Sequence, residues 1–206
     1  MSTISRYDEI ISLPRAVRFP VEMVPPAGFD AHRIETWPKV VGRLEYVDGR
    51  LLFMPPCGDF QQDTVTDVVI TLGAWVRRHP DFVLGTNEAG MRLGEATRAA
   101  DAAIWRRADL GAYDGRLRRV PSVLAVEVAE ADEGDSETAL REKAQWYVSV
   151  GVSVVWVIFP ERREVLVIFS HEETRVFGDE RIQAHPALPD LSPKASELFV
   201  QVSSRE

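Results

Sequence analysis

The chain has 206 residues and a mass of 23.1 kDa, which is the size of one domain. Hydrophobic residues make up 45% of it and charged residues 27%, so the composition is that of a folded protein and excludes wholesale disorder. The formal net charge of −8 argues against a broadly basic nucleic-acid-binding surface. Cys57 is the single cysteine, which excludes an internal disulfide framework and any cysteine-rich zinc site.

The first 38 residues are rich in proline and lack hydrophobic periodicity, so they predict an irregular N-terminal arm (1–38) ahead of the main domain (39–206). The opening residues also lack the charged-then-apolar order of a signal peptide. The longest apolar run, 152–159, is too short to span a bilayer. We therefore expect a cytoplasmic protein that does not associate with membranes.

The first regular element is predicted to be a β-hairpin over 43–54. Asp48 and Gly49 separate its two apolar runs, and this pair favours the positive φ angles of a type I′ turn. A helix over about 60–78 follows. Its apolar residues recur at the spacing of one buried helical face: Val65, Val68, Val69, Leu72 and Val76.

The remaining pattern alternates strands with one more helix. Strands are predicted at 82–85, 88–93, 99–105, 122–129, 153–159 and 164–169. The second helix is predicted to begin at Asp135 or Ser136 and to run to Val150, because Gly151 is a typical helix stop. This order predicts a mixed α/β fold with one central β-sheet and two principal helices.

Two carboxylates interrupt apolar strand patterns. With a period of two, Glu127 shares a strand face with Ala125, and Asp101 shares one with Ala103 and Trp105. A buried carboxylate needs a cation, a hydrogen-bond donor or solvent. Two carboxylates on adjacent strands would repel each other unless a cation lay between them, and a hard divalent metal is one such cation.

Lys143 is the third unexpected charge. It lies three residues after Leu140 and four before Tyr147, on the helical stripe that faces the sheet, where it can reach the carboxylates. Two other interpretations remain open. In the first, Asp101 and Glu127 are exposed to water at strand ends or form a structural ion pair with Lys143 or an arginine. In the second, Lys143 is a surface lysine of which only the aliphatic stem is buried.

Several sequence blocks together carry a family resemblance. They are LEYVDGRLLFMPP, AADAAIW, VLAVEVA and REKAQWYVSVGVSVVWVIFP, followed by LPDLSPKASELF near the C-terminus. In this order they resemble the Uma-type restriction endonuclease family of the PD-(D/E)XK superfamily. The resemblance implies a restriction-endonuclease-like fold, with a mixed sheet flanked by helices, and metal-dependent hydrolysis of phosphodiester bonds in nucleic acid.

The resemblance also implies roles for individual residues. Asp101 and Glu127 match the motif carboxylates that, with the main-chain carbonyl of Val128, would hold Mg²⁺ or Mn²⁺. Lys143 matches a helix-borne lysine that orients the attacking water or stabilises the charge developing on phosphorus. Glu45 matches an acidic residue of the first motif, which could face the metal from the hairpin.

Several polar positions of the family pattern are missing. Ala100 replaces the proline before the motif aspartate, and Ala129 stands at the usual place of the lysine. Phe60 aligns with a common histidine, although Gln61 follows it. These departures support an alternative function, a catalytically inactive binding or interaction protein that retains the nuclease scaffold.

Two charged segments flank the expected site. The run 127–137 holds six carboxylates and no Lys or Arg, which fits either added metal affinity or a solvated acidic loop at a helix start. The arginine-rich segment 106–119 fits either phosphate contact or a mobile polar loop. The expected partner is nucleic acid, with DNA favoured over RNA, and a homodimer is predicted because one short domain needs a second copy to cut both strands.

Overall fold

The computed structural model describes residues 20–40, 42–54, 57–112, 116–130, 137–170 and 172–204. Within these ranges, nine strands form one mixed sheet flanked by helices, which confirms the predicted mixed α/β fold. The strands are β1 (Val21–Met23), β2 (Arg43–Val47), β3 (Arg50–Met54), β4 (Phe82–Leu93), β5 (Ala96–Arg106), β6 (Leu124–Val128), β7 (Val154–Phe159), β8 (Glu164–Phe169) and β9 (Glu172–Phe177). The helices are α1 (Asp59–Arg78), α2 (Glu137–Ser149) and the short α3 (Val200–Ser203), with 3-10 turns at Ile34–Thr36, Arg107–Asp109 and Ala195–Leu198.

The sheet has the strand order β1-β3-β2-β5-β6-β7-β8-β9, and β4 pairs with β5 beside this path. The pair β6 and β7 is parallel, and every other described pair is antiparallel. Parallel neighbours need a crossover connection, and α2 lies in the connection between β6 and β7. The topology therefore brings α2 against the middle of the sheet, where β6 lies between β5 and β7.

The hairpin turn forms as the sequence predicts, with φ of 50° at Asp48 and 79° at Gly49. The predicted strands 82–85 and 88–93 are instead one strand, β4, because a bulge between Thr86 and Ala89 bends it without ending its pairing with β5. This bulge lies opposite Asp101 on β5.

The predicted N-terminal arm is not wholly irregular. Its described part contains β1, which adds an edge strand to the sheet by pairing with β3. Three residues are too few to form a recognisable periodic pattern, so β1 could not be predicted from the sequence. Residues 1–19 lie outside the described ranges, and the division of the chain at residue 38 stays a prediction.

The core has one cluster on each side of the sheet. On one side α1 packs Val68, Leu72 and Trp75 against the sheet, and on the other α2 packs Leu140, Ala144 and Tyr147. The two faces of β6 divide as the period of two predicts. Leu124, Val126 and Val128 belong to the α1 side, whereas Ala125 belongs to the α2 side.

The buried face of α1 begins with polar residues. Gln61 and Thr64 are buried ahead of the apolar Val68 and Leu72, while the predicted Val65 is only half-buried. The C-terminal segment covers this helix, since the Asp67 carboxylate accepts a hydrogen bond of 2.8 Å from the Gln201 backbone N–H. At the N-terminal end of α1, the buried amide side chain of Gln61 contacts the sheet.

The helix α2 begins at Glu137 in the described part of the chain, and the predicted cap at Asp135 or Ser136 lies outside it. Gly151 has a φ of +101° just beyond the end of the helix, as expected for a helix stop. In the described ranges, the helices are all too short or too polar to cross a bilayer.

We expect Gly151→Ala to lower the free energy of unfolding by about 1–3 kcal/mol, because an alanine at this positive φ is strained. Its Cβ would also lie 3.3 Å from Cγ of Pro121. Urea denaturation of both proteins measures the difference. Gly111→Ala is the matched control, since a Cβ there meets nothing within 4 Å and no positive φ is involved. Equal losses in the two variants would contradict this account of Gly151.

Candidate active site

The candidate site lies where β5 and β6 stop pairing. The ladder joins Ile104 to Leu124 and ends with Ala102 opposite Val126. The next residues on the two strands are the carboxylates Asp101 and Glu127. Beyond this point the Val128 backbone N–H donates to Asp101 Oδ2 at 2.7 Å, so a side-chain carboxylate replaces the strand partner.

Lys143 reaches this point from α2. Its Nζ donates to Glu45 Oε1 at 3.0 Å, to Glu127 Oε2 at 3.0 Å and to the Ala99 carbonyl oxygen at 3.2 Å. An ammonium group has three N–H donors, so all of them are in use. The structure therefore brings together the four side chains predicted from the sequence, Glu45, Asp101, Glu127 and Lys143, and all are at least 92% buried.

Arg43 is a second cation in the cluster. Its Nη1 lies 3.6 Å from Asp101 Oδ1, and its Nε lies 3.3 Å from Glu88 Oε2 and 4.0 Å from Glu45 Oε1. Arg43 is absent from the sequence-based prediction, although a period of two places it on the same face of β2 as Glu45. That shared face was the available signal.

Gln61 bridges the two groups expected to bind metal through oxygen. Its Nε2 donates to the Val128 carbonyl oxygen at 2.9 Å and lies 3.5 Å from Asp101 Oδ2. From the sequence, Gln61 was noted only because it follows Phe60, and no role in the site was predicted for it. Its place in the site follows from helical spacing, because it lies three and seven residues before the buried Thr64 and Val68.

One carboxylate oxygen of the cluster has no donor. In the described part of the chain, Glu45 Oε2 is buried without a hydrogen-bond partner, whereas the Tyr147 hydroxyl interacts with the Glu127 carboxylate. Leaving such an atom unsatisfied costs about 1–3 kcal/mol, and more when it is charged. The Glu45 carboxylate thus retains unused capacity to bind a cation or a donor.

Burial shifts the pKa values of the carboxylates in this cluster. Burial raises the pKa of Glu127 to about 7 and also raises the pKa of Asp101, although the nearby cations Lys143 and Arg43 oppose the shift. Burial would raise the pKa of Glu45 too, but Lys143 and Arg43 hold it below its ordinary value. Three buried carboxylates share Lys143 and Arg43, and Arg98 also lowers the pKa of Glu45.

Lys143 stays charged at neutral pH. Burial disfavours its ammonium form, but the carboxylates of Glu127 and Glu45 raise the pKa of Lys143 above its ordinary value. It can therefore donate hydrogen bonds and stabilise negative charge. It cannot act as a general base near pH 7.

The donor set suits a hard divalent cation. Asp101, Glu127 and the Val128 carbonyl offer oxygen atoms, which Mg²⁺ and Mn²⁺ prefer. Among the described residues, however, there is no group of three or more Asp, Glu, His or Cys side chains placed to hold a metal. A cation would have to use the two carboxylates together with the carbonyl, where Gln61, Lys143 and Arg43 now make contacts.

Comparison with known proteins identifies the family of the chain. A family model described as "Putative restriction endonuclease" (Uma2) matches residues 32–200. The chain belongs to the Uma2 family. This confirms the resemblance seen in the sequence blocks.

A solved structure shows the same fold as this Uma2 family member. It is a crystal structure described as "a putative nuclease belonging to DUF820" from Anabaena variabilis, with a TM-score of 0.73 and 13% sequence identity. The match covers 84% of this chain and 99% of that one. The predicted restriction-endonuclease-like fold is therefore confirmed. No curated protein matches the chain.

The acidic run 127–137 does not act as one unit in its described part. Glu127 belongs to the site, Glu130 accepts a hydrogen bond from the Gly58 backbone N–H at 3.3 Å, and Glu137 forms ion pairs with arginines at the surface. Residues 131–136 lie outside the described ranges. Cys57 is an exposed residue whose thiol is partly covered. This partial burial, together with nearby carboxylates, raises the pKa of the thiol, which disfavours a nucleophilic role.

We expect the buried Glu127 carboxyl to make stability depend on pH. Its pKa of about 7 in the folded protein exceeds the ordinary 4.5, so its contribution to stability is fully present below pH 4.5 and is lost as the pH rises through 7. The wild type should lose about 3 kcal/mol over this interval, a loss that Glu127→Gln avoids. Thermal unfolding at pH 5, 6, 7 and 8 measures the difference.

The exposed Glu161→Gln is the matched control, and its unfolding temperature should follow that of the wild type at each pH. If Glu127→Gln and the wild type changed in parallel from pH 5 to pH 8, the buried carboxyl would not carry the raised pKa.

Proposed function

We propose that this chain is a metal-dependent nuclease that hydrolyses phosphodiester bonds of nucleic acid. The observation that carries the proposal is that Asp101 and Glu127 follow the last paired residues of β5 and β6, where Lys143 binds Glu127 and Gln61 links Asp101 to the Val128 carbonyl. Membership of a family described as restriction endonucleases supports the same class of reaction. The residues that would hold Mg²⁺ or Mn²⁺ are Asp101, Glu127 and, through its carbonyl, Val128.

A metal bound there would neutralise phosphate charge and make water more nucleophilic. In hydrolysis, the water oxygen forms a bond to phosphorus, the bond from phosphorus to the leaving oxygen breaks, and a proton passes to that oxygen. Lys143 would stabilise the negative charge that develops on the phosphoryl oxygens, because its ammonium group is already held in a water-poor site.

Lys143 has no spare N–H in this arrangement, so it must release one partner to contact water or substrate. Glu127 is the partner that would also serve the metal, and burial raises its pKa to about 7. Glu45 binds Lys143 and also accepts from the Ala99 N–H at 3.3 Å. We therefore assign Glu45 to positioning Lys143.

A specific observation favours a second candidate, a non-catalytic binding or interaction protein that retains the scaffold. Each predicted ligand already has a partner within the chain: Asp101 has Arg43 and the Val128 N–H, and Glu127 has Lys143. The Val128 carbonyl accepts from Gln61. A structural ion-pair cluster needs these same contacts, so metal binding and hydrolysis separate the two candidates.

We expect the wild type to bind Mn²⁺ and Asp101→Asn and Glu127→Gln to bind it at least about tenfold more weakly, because each loses a charged ligand. Binding should strengthen from pH 6 to pH 8, since Glu127 must lose its proton to bind metal. Titration calorimetry measures both effects. The exposed Asp81→Asn should bind as the wild type does. A wild type that binds Mn²⁺ no better than Asp101→Asn would overturn the metal site.

We expect Lys143→Met to lower kcat/KM for hydrolysis about 10²–10³-fold, because a fixed charge next to the phosphoryl oxygens is lost. Fluorescent oligonucleotides of single- and double-stranded DNA and RNA, with Mn²⁺, provide the assay and also test the prediction that DNA is preferred. The exposed Lys39→Met is the control, and thermal unfolding shows whether each variant is folded.

Unchanged kcat/KM in a folded Lys143→Met protein would contradict the role of the lysine. A wild type that binds Mn²⁺ but cleaves none of the four substrates would favour the non-catalytic candidate. Sedimentation of the wild type at micromolar concentration tests the predicted homodimer.

A further inference from the structure

A cavity of about 180 Å³ is lined by residues that do not belong to the candidate active site. It lies between the segment around the 3-10 turn at Ile34–Thr36, the strand β4 and residues 116–119. Its charged and titratable lining consists of four arginines, one histidine and one glutamate: Arg33, Arg92, Arg116, Arg119, His32 and Glu35. We call it the arginine cavity.

Arg92 is the buried member of this lining, with 7% of its surface exposed. Its Nη1 donates to Thr97 Oγ1 at 3.1 Å and lies 3.4 Å from the Ala31 carbonyl oxygen. Its Nη2 lies 3.2 Å from His32 Nε2. The Tyr46 ring lies 5.9 Å from the guanidinium carbon, so the group is held in place from several sides.

The positive charge of Arg92 is poorly compensated. The carboxylate nearest to it is that of Glu95, 3.5 Å away, and the Glu95 side chain is 91% exposed. Among the described residues no acceptor is found for the buried Arg92 Nε–H. A buried N–H without an acceptor is costly, so Arg92 keeps a donor that an anion can satisfy.

Arg119 adds a second guanidinium without a compensating carboxylate among the described residues. Glu35, the carboxylate in the lining, is engaged with Arg33 at 3.0 Å. Arg119 is exposed and forms no ion pair with any described residue. The cavity thus combines one fixed, buried guanidinium with exposed ones at its margin.

We propose that the arginine cavity binds a phosphoryl group. The planar guanidinium presents paired N–H donors that match two oxygens of a phosphate, and several of them suit an anion of more than one charge. The volume is several times the roughly 30 Å³ that a water molecule occupies in the liquid, which leaves room for such a group. The phosphoryl group comes either from a nucleic-acid backbone or from a small phosphorylated molecule.

This binding site goes beyond the proposed nuclease activity and does not depend on it, since its lining shares no residue with the Lys143 cluster. The test is therefore made without metal. Inorganic phosphate, a nucleoside 5′-monophosphate and a 12-nucleotide single-stranded DNA are titrated by calorimetry in EDTA. Asp101→Asn serves as the background so that hydrolysis cannot interfere.

Arg119→Gln is expected to weaken binding of the active probe about tenfold, because it loses charged hydrogen bonds to phosphate. Arg92→Lys keeps the charge but loses the paired donors, so it should weaken binding as well. For the DNA probe, the slope of log affinity against log salt should fall by about 1 in Arg119→Gln. The exposed Arg77→Gln on α1 is the matched control and should match the background protein.

Arginine-dependent binding of DNA that inorganic phosphate does not displace would identify a backbone site. Arginine-dependent binding of phosphate or the monophosphate would identify a small-molecule site, and either result supports the proposal. If no probe bound, or if Arg119→Gln and Arg92→Lys bound as Arg77→Gln does, the proposal would be overturned. That failure would leave the Mn²⁺ and hydrolysis results unaffected, so the two proposals fail separately.

Discussion

The buried ammonium of Lys143 sets how the site is built, because it joins four elements of the fold. Its donors bind a carboxylate of β2, a carboxylate of β6 and a main-chain carbonyl of β5, while α2 carries the lysine itself. A buried charge persists only when it is paired and hydrogen-bonded, and removing one partner of such a set costs about 3–5 kcal/mol. The crossover helix is therefore fixed against the sheet at one register, and the carboxylates are fixed against each other.

The opening between β5 and β6 has a counterpart on the other side of β5. There, β4 pairs Thr86 with Ala102 and Ala89 with Ala100, so the bulge places two residues opposite Asp101. Those residues, Asn87 and Glu88, both have positive φ, a strained backbone for residues other than glycine. The bulge directs the Glu88 carboxylate to Arg43, which in turn contacts Asp101. Bulges often aim side chains at functional sites in this way, and here the local strain is maintained by an ion pair.

The site residues that could be predicted from the sequence are the charged residues within apolar patterns. Asp101 and Glu127 interrupt apolar strands, and Lys143 interrupts an apolar helical stripe. The periodicity of one element is therefore enough to identify each of them from the sequence. Arg43 and Gln61 lie near the ends of their elements, where polar residues are common, and only their contacts with other elements reveal their role. The hairpin was predictable because Asp48 and Gly49 specify their own turn. The bulge in β4 and the three-residue β1 were not, because both depend on pairing with distant strands.

The charges of the two sites have opposite sign, and this bears on how a phosphodiester can approach. Near Lys143, burial raises the pKa values of Asp101 and Glu127, so a further cation would favour the ionised form of both carboxylates. A cluster that served stability alone would gain from equal numbers of charges, since the raised pKa of Glu127 reflects a free-energy cost of keeping the carboxylate ionised. The arginine cavity carries mainly positive charge and attracts phosphate without help. A chain with net charge −8 thus concentrates exposed and buried arginines at one place, whereas the proposed reactive place would need a further cation to accept a phosphodiester.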